Sequence, residues 1–322
     1  MTLINNTIID GMAFMLPLLI MAIGGIFSER SGITNLAVEG LSGMGAFTGA
    51  LAAYIMTTCL GISSGPAYYL SFLFAALGGM LLGLLHAFLC IDGKANQVIC
   101  GVVINILAQS VTIFLVKTIN REIFGKPSDK IDLGVSARYT VPGLSKIPVL
   151  GAFFTKIYPF EVMIIILTLI ASYVLYKSRF GMHLRACGDN PHAVDAAGLD
   201  VAGIRRRAVM ISGALSGIGG MAFAYSISAK FSASYFVGYG YLAIAALIFG
   251  NWTILPTLRA CVIFGFARSA GYQIVQKLGY PSSYQDLIMI LPYVLTLVLL
   301  IFWSGKNRSP RALGEIYDKA KR

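Results

Sequence analysis

Nine apolar stretches follow one another along this chain, most of them about 16 to 25 residues long, with polar joints between. They fall at about residues 8–27, 38–60, 67–91, 97–117, 159–177, 208–228, 236–250, 255–276 and 285–303. Such a run is what a helix needs to cross a hydrocarbon core of ~30 Å, where the backbone must close its own hydrogen bonds. The chain therefore reads as an all-α polytopic membrane protein with about nine transmembrane helices, in a range of eight to ten. The seventh stretch is short for a crossing and the second is thick with glycine, so either can be broken or re-entrant. Charged residues make up only 12% of the chain, against about 25% in soluble domains, which excludes a soluble enzyme, a disordered chain and a disulfide scaffold.

Lys and Arg outnumber Asp and Glu by 25 to 14, for a net charge of +11. These bases lie in joints and tail without any nucleic-acid module, so they point to topology and anionic membrane lipid rather than to nucleic acid. Lys306, Arg308, Arg311, Lys319, Lys321 and Arg322 follow the last span and place the tail, 304–322, in the cytoplasm. Four spans back, the segment 178–207 with Arg179, Arg185, Arg205, Arg206 and Arg207 returns to that side. The segment 118–158 then falls outside despite Arg121, Lys126, Lys130, Arg138, Lys146 and Lys156, and so does the N-terminus, where no Lys or Arg precedes the first apolar run. That run reads as a retained span rather than a signal peptide. The expected organisation is one transmembrane domain over residues 1–322. Cys59, Cys90, Cys100, Cys187 and Cys261 have no CxxC spacing and His86, His183 and His192 no metal spacing, so neither a disulfide nor a metal is expected.

Polar groups inside the spans are costly and mark sites by default. Asn35 and Glu39 stand four apart, which on a helix puts them on one face that could line an aqueous path or hold a hydrogen-bonding solute; the alternative is that Glu39 pairs with Arg30 or another Arg as a structural lock at the membrane surface. Gln97, Asn105 and Gln109 draw a polar stripe along the fourth span that should not face lipid, whether it meets solute or bonds to other helices. Small residues four apart, Gly45 with Gly49, Gly79 with Gly83, Gly213 with Gly217, and Ser212 with Ser216 and Gly220, read as close helix packing. A GxSxG match at 61–65 and a GxGxxA match at 238–243 lack the strands that a hydrolase elbow or a dinucleotide fold requires. No GxxxxGK[ST] loop occurs, so any ATP and Mg²⁺ would be held by another polypeptide and no cofactor is expected in this chain.

Within 178–207, Asn190 suits a helix N-cap, Pro191 the first helical position and Gly198 a left-handed stop, which predicts a two-turn helix outside the bilayer. By its capping alone it reads as an ordinary surface helix; the alternative is that Ala193, Ala196 and Ala197 let it enter a partner's groove, with Arg185 and Asp195 fixing its orientation.

Three stretches carry a resemblance: 27–40 (FSERSGITNLAVEG), 179–198 (RFGMHLRACGDNPHAVDAAG) and 238–252 (GYGYLAIAALIFGNW). They resemble the permease subunits of bacterial ABC importers of the branched-chain amino acid, ribose and nucleoside type, and within them the shorter permease of simple-sugar and nucleoside systems. The match runs essentially end to end. The resemblance implies a multi-pass protein of the bacterial inner membrane that is not itself an enzyme. Its implied partners are a second permease, an ABC ATPase and an extracytoplasmic solute-binding lipoprotein. It maps the ATPase coupling loop onto Arg185, Gly188, Asp189, Asn190, Pro191, Ala193, Ala196 and Gly198, and the broken helices near the path onto the other two stretches. Leu36-Ala37-Val38 and Leu242-Ala243-Ile244 echo each other, as inverted repeats do. One position departs: relatives carry Arg between the glycines where this chain has Gly238-Tyr239-Gly240.

The expected function is translocation of a small polar solute, a nucleoside or else a simple sugar, past Asn35, Glu39, Asn105, Gln109 and Asn251, with Tyr235, Tyr239, Tyr241 or Trp252 available to stack on a ring. The alternative is an ion-coupled secondary transporter using Glu39 as the coupling site.

Overall fold

The computed structural model describes residues 2–125, 127–133, 138–147, 150–227, 229–232, 238–279, 281, 287–288, 290–303 and 308–318. Lys126, Pro148, Tyr235, Lys306, Lys319, Lys321 and Arg322 lie outside the described residues. The helices are α1 (Thr2–Arg30), α2 (Val38–Tyr54), α3 (Ser64–Ala87), α4 (Gln97–Glu122), α5 (Pro159–Lys177), α6 (Arg179–Asp189), α7 (Pro191–Ala196), α8 (Val201–Ile227), α9 (Tyr239–Phe249), α10 (Ile254–Leu278) and α11 (Leu291–Trp303). Single π turns, Ile55–Cys59 and Phe88–Asp92, prolong α2 and α3. Two short strands, β1 (Ile131–Asp132) and β2 (Lys230–Phe231), pair antiparallel with Ile131 opposite Phe231.

Five of these helices, α1, α3 with its π turn, α4, α5 and α8, are long and apolar enough to cross a membrane. The other spans fall short for separate reasons. In α10, Arg259, Arg268 and Lys277 interrupt the apolar run, while α9 has only 11 residues and rises about 16 Å, half of a ~30 Å core. The seventh stretch is thus a half-helix, as its length foretold, and α11, with 13 residues, rises only about 20 Å.

Followed through the described residues, the chain changes ends nine times. One end, called here the tail end, gathers the exit of α1, the α3–α4 and α9–α10 turns, α6, α7 and the C-terminal segment; Arg206 pairs with Asp92 at 2.7 Å, Lys94 with Asp318 at 3.1 Å, and Ile254 N–H donates to Tyr176 Oη at 3.0 Å. At the far end Phe160 N–H donates to Tyr68 Oη at 3.1 Å, Gln273 Nε2 donates to Asp10 at 2.6 Å, and Tyr54 meets Phe124.

Three expectations change at the tail end. The span expected at 208–228 begins at Val201, so Arg205, Arg206 and Arg207 form the first turns of α8 rather than a loop. Its extra turns are held because Arg205 is buried and donates from Nε to Ser31 O (3.0 Å) and from Nη1 to Glu315 O (3.1 Å). The segment 178–190 forms the amphipathic helix α6, which its glycines conceal: Ser178 Oγ caps it at Gly181 N, and Gly188 backs onto the Arg30 carbonyl where a side chain would not fit. Residues 308–318 do not trail onto lipid but fold back on the bundle, with Pro310 and Ala312 buried.

Helices α1 and α8 form the interior, whereas α3, α4 and α5 present Leu73, Leu81, Val103, Ile106, Ile166 and Leu169 outward. Each such side chain would cost about 1.5 to 3 kcal/mol in water, so these faces belong against lipid or another subunit. Where α2, α3 and α8 cross, the small residues meet as their spacing implies. A Cβ on Gly217 would strike the Ala75 carbonyl, one on Gly45 would strike Gly217, and one on Gly79 would strike the Gly213 carbonyl. Gly43, one turn from Gly40 on the same helix, has open space around it. Gly217→Ala is expected to destabilise the protein by roughly 1 to 3 kcal/mol, while Gly43→Ala is neutral or slightly stabilising. Thermal melting of the purified protein in detergent checks the pair, and equal melting temperatures would refute the packing account.

Candidate functional site

The chain breaks between α1 and α2 because Ser28 and Ser31 divert backbone hydrogen bonds and Gly32 takes a left-handed turn (φ 95°). Ser28 Oγ donates to Ile33 O at 2.9 Å, and Thr34 N–H finds Gln97 Oε1 at 2.7 Å. Asn35 lies in this break, not on α2, so the argument that placed it on one helical face with Glu39 fails. Its Oδ1 accepts from Ala37 N (3.0 Å) and its Nδ2 donates to Ser212 Oγ (2.8 Å), which turns it into α8.

Two helices then begin inside the bundle. The first N–H groups of any helix lack intrahelical partners, and inside a bilayer no water replaces them. Neither Ala37 before α2 nor Gly238 before α9 offers a side-chain cap. Tertiary partners do so instead. Asn105 of α4 accepts from Gly40 N at 2.7 Å and donates to Leu36 O at 2.8 Å and to Tyr241 Oη at 3.0 Å. Glu39 of α2 accepts from Gly238 N at 2.7 Å and, through its other oxygen, from Gly240 N. A carboxylate at a helix N-terminus also opposes the positive end of the helix dipole. Gly240 must be glycine because a Cβ there would collide with Glu39 itself. Asn105 lies two turns into α4, about 12 Å from its start, so the node sits well within the hydrophobic depth.

The other expected site residues are dispersed. Gln109 is exposed on α4 while Gln97 and Asn105 are buried, so the stripe splits rather than staying on one side. Asn251 lies past the C-terminal end of α9, at the tail end and about 16 Å along that helix from Gly240, and accepts from Arg308 N at 2.7 Å. Arg30 does not lock Glu39; its Nε donates to Trp252 O at 2.8 Å, while the Trp252 indole N–H meets buried Glu29. Tyr239 stacks on Phe223 with centroids 4.7 Å apart, so among the described aromatic candidates Tyr241 alone offers an exposed ring beside the node. The echo of 36–38 in 242–244 pairs a break with a helix interior and is not a structural equivalence. The GxGxxA match had a use that its dismissal missed: its two glycines bring backbone N–H groups to an anion, and that anion is this chain's own Glu39.

On the tail end, Asn190 Oδ1 accepts from Ala193 N at 3.0 Å, Pro191 opens α7, and Gly198 takes φ 79°. Pro191 and Val194 are buried, leaving Ala193, Ala196, Ala197 and Gly198 as an exposed face without bulky side chains, with Asp189, Asn190 and His192 exposed beside it. Arg185 stays on its own helix, donating to Gly181 O at 3.3 Å, with its guanidinium 5.8 Å from the Tyr176 ring. Burial pushes the Cys187 thiol up to about 11, partly offset by Arg205.

The profile of the family described as branched-chain amino acid transport system / permease component matches residues 7–300, and the chain belongs to that family. It is 39% identical to the guanosine ABC transporter permease protein NupQ of Bacillus subtilis, over 95% of this chain and 94% of that protein. Against the nucleoside ABC transporter permease protein NupC of Lactococcus lactis subsp. cremoris the identity is 37%, over 95% and 94%. The guanosine ABC transporter permease protein NupP of Bacillus subtilis matches at 27%, over 92% and 83%. No solved structure matches this chain. The chain is thus an ABC transporter permease, a multi-pass membrane protein and not an enzyme, and its class implies a separate ATPase and a solute-binding protein.

Glu39→Ala strands two N–H groups and is expected to cost roughly 1 to 3 kcal/mol for each, with Glu39→Gln, which keeps one good acceptor, falling between. Melting curves of the three proteins check this order, and an unshifted Ala variant would remove the cap from the account.

Proposed function

We propose that this chain is a translocating subunit of an ATP-driven importer for nucleosides. The observation that carries the substrate class is near full-length similarity to permeases named for guanosine and for nucleosides. ATP and Mg²⁺ are held by the separate ATPase. A second, related permease completes the path; the match to both NupQ and NupP, two permeases of one organism, supports that pairing. The tail end faces the cytoplasm, the far end receives solute from the binding protein, and the protein sits in the bacterial inner membrane.

In this reading α7 enters a cleft of the ATPase through its exposed alanines, and closure of the nucleotide-binding subunits pushes on residues 188–198. Rocking of the bundle then alternates access around the node where α9 begins. Glu39 and Asn105 fix the inner ends of two broken helices there, and Tyr241 offers a ring face and a hydroxyl to a base or a ribose. No observation favours the ion-coupled alternative, and both oxygens of Glu39 are already engaged by backbone.

With the importer reassembled in proteoliposomes, labelled guanosine is expected to enter only with ATP, and to be displaced by other nucleosides but not by glucose. Replacing Asp189, Asn190 and Pro191 with Gly-Ser residues is expected to abolish uptake while ATP hydrolysis continues; uptake that survives rejects the coupling role. Orientation has its own check: Cys59 is exposed at the far end, whereas Cys187 is buried with a raised thiol pKa. A membrane-impermeant maleimide should label right-side-out vesicles through Cys59, and labelling confined to inside-out vesicles would reverse the topology.

A further inference from the structure

We propose that the C-terminal segment Arg308–Asp318 is a positioning strap that carries the movement of α6 and α7 to the exit of the half-helix α9. The inference rests on the coupling role given above to α7.

The segment touches each part that such a role requires. It begins at the α9 exit, where Arg308 N–H donates to Asn251 Oδ1 at 2.7 Å. Pro310 then packs against Gly188 at the end of α6, and Ala312 N–H donates to Gly188 O at 2.8 Å. Gly314, in a left-handed turn (φ 82°), donates its N–H to Gly32 O in the break between α1 and α2 at 3.0 Å. Buried Arg205 clamps the break and the C-terminal segment together, reaching Ser31 O with Nε and Glu315 O with Nη1. The Tyr317 ring ends the run 5.2 Å from that of His192 on α7.

The contacts made by the helices leave this segment a distinct task. α6 packs on α1, α5, α7 and α8, whereas α9 packs on α1, α2, α10 and α11. The one helix they share, α1, is almost wholly buried between α8 and α10 and can move only with the bundle. The strap is a short segment with turns at 311–314, lying at the bundle's end and held by a few backbone hydrogen bonds, by Arg205 and by the Lys94–Asp318 pair. A shift of α6 and α7 pulls on Gly188 and His192, and the same stretch pulls on Asn251, at the C-terminal end of α9, and on Gly32, in the break between α1 and α2. The α9 end of this link is a single acceptor, Asn251, a residue in left-handed backbone (φ 49°) that glycine tolerates better.

Asn251→Gly therefore removes the acceptor without straining the turn, and Asn251→Asp keeps it. In the reassembled importer, uptake per ATP hydrolysed is expected to fall about fivefold in the Gly variant, as one hydrogen bond of a link is lost. Hydrolysis and co-purification of the ATPase should stay unchanged, and the Asp variant should return the ratio to that of the parent. A chain ending at residue 307 should uncouple further. Three results overturn the strap: an unchanged ratio in Asn251→Gly, a proportional fall of uptake and hydrolysis together, or loss of the ATPase from the complex, which would make the segment an assembly element. The Gly-Ser replacement of residues 189–191 separates the two ideas. If it fails to uncouple, the role of α7 falls; if it uncouples while Asn251→Gly does not, the strap alone falls.

Discussion

A helix that starts inside a bilayer exposes N–H groups that no water can reach, and the arrangement of this bundle follows from how two such starts are met. Asn105 answers for α2 and Glu39 for α9, each from a different helix. The caps run in sequence, since α4 holds the start of α2 and α2 holds the start of α9. Backbone is therefore allowed to be irregular inside the bundle, because these polar groups complete its hydrogen bonds where no water can.

The remainder of the bundle is comparatively rigid. Glycines let α2, α3 and α8 touch through their backbones, so these three helices have little freedom to slide. Movement has to be taken up elsewhere, at the broken helices and at the tail end, where α6, α7, the break after α1, the α9–α10 turn and the C-terminal segment converge. Burying Arg205 among carbonyl oxygens of the break and the C-terminal segment is costly in isolation and is offset only by its charge-assisted hydrogen bonds. Its hydrogen bonds tie the start of α8, the break after α1 and the C-terminal segment to one another.

Much of the architecture was legible in the residues. Apolar length gave the crossings, the brevity of 236–250 gave a half-helix, and the Asn190, Pro191 and Gly198 triad gave the capped α7, because capping is local chemistry read over a few residues. What stayed hidden was long-range. Asn35 and Glu39 share a face only on a continuous helix, and the break that Gly32 and two serines create leaves Asn35 outside α2. Asn251 is separated from the other expected path residues by the whole of α9, and α6 is obscured by two glycines, Gly181 placed for close approach to α5 and Gly188 to α1.

By itself the sequence determined that this chain lives in lipid, roughly where it crosses, and that a small capped helix lies outside, since hydrophobic length and capping act within one segment. Only the tertiary structure decided which groups meet: that Glu39 faces a helix start rather than Arg30, that Asn251 holds the tail, and that the tail returns to the bundle. Partners hundreds of residues apart are chosen by which unsatisfied backbone groups the packing leaves to be filled, and no local pattern records that choice.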